Sequence, residues 1–149
     1  MGKEIVLPSE KRKSITLFVE GRPAPQGSKS YRGNGRFSEA SKYLPAWRSA
    51  IVLAAKQQLM RSESVAMFDE PVKVAITFYI TSPKKPKWAF PATTPDLDKL
   101  VRGVFDSLTQ AKVWVDDSLV VELFAREVWT GDSPDTRPVS GATITVEVL

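Results

Sequence analysis

Residues 71–110 read PVKVAITFYITSPKKPKWAFPATTPDLDKLVRGVFDSLTQ, and within them the hydrophobic period changes from that of a strand to that of a helix. After Pro71, the residues Val72, Val74, Ile76, Phe78 and Ile80 recur at every second position, which predicts a half-buried strand. From Asp96 to Gln110 the apolar residues Leu97, Leu100, Val101, Val104, Phe105 and Leu108 fall on one helical stripe. The loop between them, Thr81 to Pro95, holds four prolines, the lysines Lys84, Lys85 and Lys87, and the aromatics Trp88 and Phe90.

Outward from this unit both element types recur. Ser14 to Glu20 alternates, with Ile15, Leu17 and Val19 on one face. Tyr43 to Arg61 reads as an amphipathic helix striped by Leu44, Trp47, Ile51, Ala54 and Leu59. Beyond the second helix, Val113 to Val115 and Ser118 to Trp129 read as extended. Thr130 to Gly141 is a turn region, and Ala142, Ile144, Val146 and Val148 mark a closing strand. This order predicts an α+β fold, a single domain over 14–149 with a mixed or mainly antiparallel sheet packed with two main helices. Residues 1–13 are polar and charged and read as a flexible N-terminal segment.

Composition narrows the chemistry. The 149 residues contain no cysteine and no histidine. Disulfides, thiolate nucleophiles, imidazole bases and thiol- or imidazole-bound metals are therefore excluded. Catalysis would have to use carboxylates, Lys, Arg, hydroxyls or an oxygen-bound hard cation such as magnesium. The 21 Lys plus Arg against 17 Asp plus Glu leave a net charge of +4, a mild argument for a polyanionic partner. No apolar run is long enough to span a bilayer, and MGKEIVLPSEKRKS lacks both a signal-peptide core and the myristoylation pattern, so no membrane association and a cytoplasmic location are expected. Gly33-Asn34-Gly35 is not a dinucleotide fingerprint and Gly27-Ser28-Lys29 is not a P-loop, so no nucleotide cofactor is expected.

Acidic residues flank the second helix on both sides. Asp96 and Asp98 are two apart and converge only where extended chain passes into helix, a transition that Pro95 supplies. Arg102 lies one turn beyond Asp98, and Asp116-Asp117-Ser118 follows the helix. Such carboxylates suit a magnesium site for phosphodiester cleavage, with Arg102 as a donor to the transition state. They suit equally well a helix N-cap, an Asp98–Arg102 pair and an ordinary Asp-Asp-Ser turn. Basic residues gather in two loops. Lys29, Arg32, Arg36 and Lys42 lie among glycines in 21–42, and Lys84, Lys85 and Lys87 precede the acids; both loops are candidates for following a phosphate backbone. Trp47 reads as core, and Trp114 and Trp129 as structural. Trp88 and Phe90 are open between stacking on bases and packing at a dimer interface.

At these residues the chain resembles the RusA family of phage and bacterial Holliday junction resolvases. The likeness begins at Pro23-Ala24-Pro25-Gln26-Gly27-Ser28-Lys29 and runs through Val74 to Ile80. It is most specific over Pro95 to Leu123, PDLDKLVRGVFDSLTQAKVWVDDSLVVEL. The resemblance implies that Asp96, Asp98 and Asp117 are metal-binding catalytic carboxylates, and that Arg102 stands where the family has an important Lys. Lys99 departs from the family's usual Asn. Asp116 is read as a neighbour whose main-chain position matters more than its charge. The family further implies Mg2+, with Mn2+ as a substitute, and a homodimer cutting branched DNA. A four-way junction would be resolved by paired symmetric nicks, with a metal-activated water attacking the scissile phosphate. Alternatives are a non-catalytic junction-binding protein with a structural acidic cluster, and a metal-dependent nuclease or phosphatase acting on simpler substrates.

Overall fold

The computed structural model describes residues 13–27, 42–62, 66–131 and 133–149. Lys29, Arg32 and Arg36, and all but the last residue of the segment read as flexible, lie outside the described residues. Four strands form one mixed sheet: β1 (Ser14–Glu20), β2 (Val72–Ile80), β3 (Val120–Trp129) and β4 (Gly141–Val148), in the spatial order β1-β4-β2-β3. β4 pairs antiparallel with both β1 and β2, whereas β3 runs parallel to β2. A parallel neighbour cannot be reached by a hairpin, so the chain crosses over through α2 (Leu97–Gln110). The longer α1 (Leu44–Arg61) links β1 to β2 and packs on β1 and α2.

The α+β reading therefore holds, and the residue alternation accounts for its layers. Val72, Val74, Ile76 and Phe78 are buried, together with Ile15, Leu17 and Val19 of β1 and Ala142, Ile144 and Val146 of β4. They meet Trp47, Ile51 and Ala55 of α1 and Leu100, Val101, Val104 and Leu108 of α2 in one core. Each large side chain so buried is worth about 1.5–3 kcal/mol of transfer free energy. Trp114 closes the far end of α2, its ring edge-on to Phe105 at 5.5 Å and its indole N–H donating to Thr109 Oγ1 at 2.7 Å. The opposite face of the sheet carries polar pairs, among them Thr16–Thr145 and Tyr79–Thr143. Arg137, from the loop before β4, lies over the Phe18 ring and covers one end of that face.

Ser118 departs from the extended conformation expected of it. It lies in a 3₁₀ turn, Asp117–Leu119, and β3 begins only at Val120. The cause is local: the Asp116 carboxylate accepts the Ser118 N–H at 2.9 Å, offering the main chain a partner other than the ladder.

Two glycines give opposite expectations. A Cβ at Gly141, where β4 begins at φ +156°, would collide with the Val19 carbonyl oxygen of β1. At Gly103, inside α2, it would meet the Ala24 carbonyl oxygen at 3.4 Å and Gln26 Cβ at 3.6 Å, ordinary contact. In thermal or urea unfolding, Gly141→Ala should therefore cost about 2 kcal/mol or more. Gly103→Ala should gain about 0.5–1 kcal/mol from helix propensity.

Candidate functional site

The chain leaves β2 at Ile80, passes through the lysine loop and a cis Thr94–Pro95 peptide, and enters α2 through Asp96 in extended conformation. Asp96 occupies the N-cap position, yet its side chain makes no capping hydrogen bond. Its carboxylate is exposed instead, with Oδ2 3.4 Å from the Lys99 ammonium. Asp98 follows in the first turn, also exposed, and forms no ion pair with Arg102. The capping and Asp98–Arg102 pairing that would explain these acids structurally are thus not made. Arg102 turns to the segment before α1: a Cβ on Gly27, at φ +92°, would collide with its guanidinium. Gln26 N–H donates to the Lys99 carbonyl at 3.1 Å, and the Gln26 side chain accepts from Arg48, which also reaches Gln110. The proline-rich segment 22–27 is thereby held along the first turns of α2, and Gly27 carries the described chain up to Arg102.

A carboxylate that the sequence did not single out joins this end of the sheet. Glu127 of β3 pairs with Phe78, near the end of β2, and shares the helix-covered face with Ala125. Half-burial pushes its carboxyl up to about 7, and the negative charge of Asp96 pushes in the same direction. Only the pairing register could reveal it, because a glutamate in a strand is ordinarily a solvated edge residue.

Asp116 and Asp117 stand elsewhere. They precede β3, whose first residue, Val120, pairs with Val72 at the beginning of β2. The strand from the Val72 level to the Phe78 level spans about 20 Å at ~3.3 Å per residue, so Asp117 and the Asp96–Glu127 pair lie toward opposite ends of one sheet. Among the described residues no group of three carboxylates could hold a metal ion. Hydrogen bonds from the Ser118 hydroxyl and main-chain N–H hold Asp116 below the usual carboxylate range, so it is a turn residue.

The second basic loop lies at the Asp96 end. Lys84, Lys85 and Lys87 are exposed, as are Trp88 (56%) and Phe90 (62%), and Lys87 sits 5.3 Å from the Trp88 ring centre. The Trp129 indole N–H donates to the Trp88 carbonyl at 2.9 Å and ties this loop to the end of β3. Lys42, the one residue of the first basic set among those described, lies over Tyr43 together with Arg22. Trp47 and Trp114 are core, as expected.

Glu127 generates a pH dependence in metal-free protein. Its folded value near 7 exceeds the ordinary 4.5, so the folded state holds a proton that the unfolded state has lost between those values. The stabilisation is complete below about 4.5 and disappears as pH rises through about 7. Unfolding in EDTA should show Glu127→Gln more stable than wild type above pH 7, by roughly 1 kcal/mol for a side chain still half in water. The two should converge near pH 4.

The family model described as endodeoxyribonuclease RusA matches residues 20–137, from the end of β1 to the loop before β4. A crossover junction endodeoxyribonuclease of Lactococcus phage r1t is 36% identical over 76 residues, 49% of this chain and 58% of that protein. The chain thus aligns with little more than half the length of that relative. The family match takes in β2, the crossover α2, both acidic clusters and all of β3, and on that span the chain belongs to the RusA endodeoxyribonuclease family.

Proposed function

We propose that the protein is a divalent-metal-dependent endodeoxyribonuclease that resolves four-way DNA junctions as a homodimer. The observation that carries this reading is the pair Asp96 and Asp98 at the entry to α2, exposed and free of capping duty, inside a segment matched to a family of endodeoxyribonucleases. The donors fit a hard cation in kind, being oxygens only, and they crowd negative charge with Glu127 beside Asp96. Lys99 partly neutralises that charge, but an exposed ion pair is worth under about 1 kcal/mol, which a divalent cation outcompetes.

In this reading Asp96, Asp98 and Asp117 hold the ion, Mg2+ or in its place Mn2+. When bound, the ion supplies a lowered pKa to an attacking water and neutralises charge building on the scissile phosphate. Arg102, close to Gly27, offers its planar fork of N–H donors to a phosphate oxygen. Lys84, Lys85, Lys87 and Lys42 meet the backbone of branched DNA, and Lys29, Arg32 and Arg36 extend that contact. A homodimer is required twice. Two symmetric nicks on a four-stranded junction call for two symmetry-related sites. Moreover, Asp117 is about 20 Å of strand from the Asp96 end in one chain, so a second copy running the opposite way supplies the third carboxylate to each site.

The test is an end-labelled four-way junction beside linear duplex, with Mg2+ or EDTA. Symmetric metal-dependent nicks confined to the junction are expected. Asp98→Asn should lower cleavage on the order of 100-fold or more, since loss of even an outer partner of a metal site costs 10–100-fold, while junction binding persists. Retarded but uncut junction would instead establish a binding protein, and cutting of linear duplex at the same rate a nuclease of broader substrate.

A further inference from the structure

β3 is one of the two edges of the sheet, pairing with β2 alone among the described residues. Its sequence, VVELFAREVW, contains no Pro, Gly or Lys, and beyond an irregularity at Val121 its pairing with β2 is regular. Val121 (61%), Leu123 (48%) and Phe124 (59%) are exposed along it. Apolar side chains in a row on an unpaired edge mark a surface that another strand covers.

Register identifies the strand that fits. A shift at Val72/Lys73 leaves a bulge at Val121, and from Glu122 to Trp129 the pairing with β2 is regular. Just past β3, the Thr130 N–H donates to the Ile80 carbonyl, so even-numbered residues turn their amides toward β2. Leu123, Ala125 and Glu127 therefore turn theirs outward. On the open face, Glu122, Phe124 and Arg126 follow one another in the order acid, aromatic, base. Arg126 is exposed, and among the described residues its side chain makes a long contact to Thr77 Oγ1, at 3.4 Å.

We infer that β3 pairs antiparallel with β3 of a second copy about a two-fold axis at Phe124, making one continuous eight-stranded sheet from the two four-stranded ones. This register sets Glu122 opposite the partner's Arg126 and Arg126 opposite the partner's Glu122, with the two Phe124 rings on the axis. It also sets Leu123 opposite the partner's Ala125, so that the outward amides of both copies meet. Phe124 lands in a non-hydrogen-bonded pair, where side chains approach most closely, as its inward amide requires. A shift of the axis by one residue would place Phe124 opposite Glu122 or Arg126 and lose both charge pairs. Self-complementarity of this kind is what an isologous interface demands and what an unrelated partner would not select. On this face Phe124 borders a depression lined by Lys73, Ala75, Glu122 and Thr145.

The inference deepens the homodimer reading and rests on it. The test measures mass by sedimentation or light scattering across concentration, with circular dichroism to show that each variant is folded. Wild type should be a dimer. Phe124→Asp should be a folded monomer. Glu122→Arg and Arg126→Glu should each weaken the dimer at least about tenfold, and the double exchange should restore it, because within one strand these residues are too far apart to pair. A wild-type dimer that survives Phe124→Asp and both reversals would overturn this interface while leaving the homodimer intact. A wild type that is monomeric throughout would overturn both. Monomeric variants of a dimeric wild type that nicks no junction would sustain the interface and remove the nuclease reading.

Discussion

The parallel pairing of β2 with β3 is the constraint on which the rest of the molecule depends. Parallel strands cannot be joined by a turn, so the chain must travel back along the sheet before β3 begins, and α2 makes that return. Everything just before α2 therefore gathers at the end of β2, and everything just after it at the beginning of β3. Asp96 and Asp98 belong to the first group, Asp116 and Asp117 to the second. Acids separated by one helix in sequence are thus driven to opposite ends of the sheet.

The same constraint explains the position of Glu127. Because β3 runs in the direction of β2, its later residues return to the level at which α2 began, and the helix-facing one beside Phe78 is a glutamate. Half-buried and next to Asp96, it resists ionisation. The lysine loop leaves β2 at that end and is tied to β3 by the Trp129–Trp88 hydrogen bond, so exposed cations and exposed aromatics sit beside the acids. The segment 22–27 completes this end by lying along α2, with Gly27 against Arg102. Three stretches distant in sequence, 22–27, 81–98 and 127–129, meet at one end of the sheet, because β1, β2 and β3 all run toward it.

The strand order leaves β3 at the boundary of the sheet. The other boundary, β1, is short and alternates cleanly. β3 is longer and carries apolar side chains on the exposed part of an unpaired edge. The charges around Phe124 invert when the strand is reversed, acid meeting base on both sides, which distinguishes a self-pairing edge from one that is merely sticky.

The sequence by itself determined the elements and their inner faces. Alternation in β1, β2 and β4, and the helical stripes of α1 and α2, state which side of each element avoids water, and burial follows those patterns nearly residue for residue. It also marked Asp96 and Asp98, since a proline before two acids at a helix entry is a local feature. Only the tertiary structure decided which strands are neighbours, because pairing is a long-range choice that hydrophobic period does not encode. With that choice came the separation of Asp117 from Asp96, the approach of Glu127 and the placing of β3 at an edge, and the chain's path also set Gly27 close to Arg102. Ser118 was misread as strand because a single carboxylate-to-amide bond, invisible to periodicity, outcompeted the ladder. A sequence records what each residue prefers around it, and a site is made by which preferences the chain's path allows to meet.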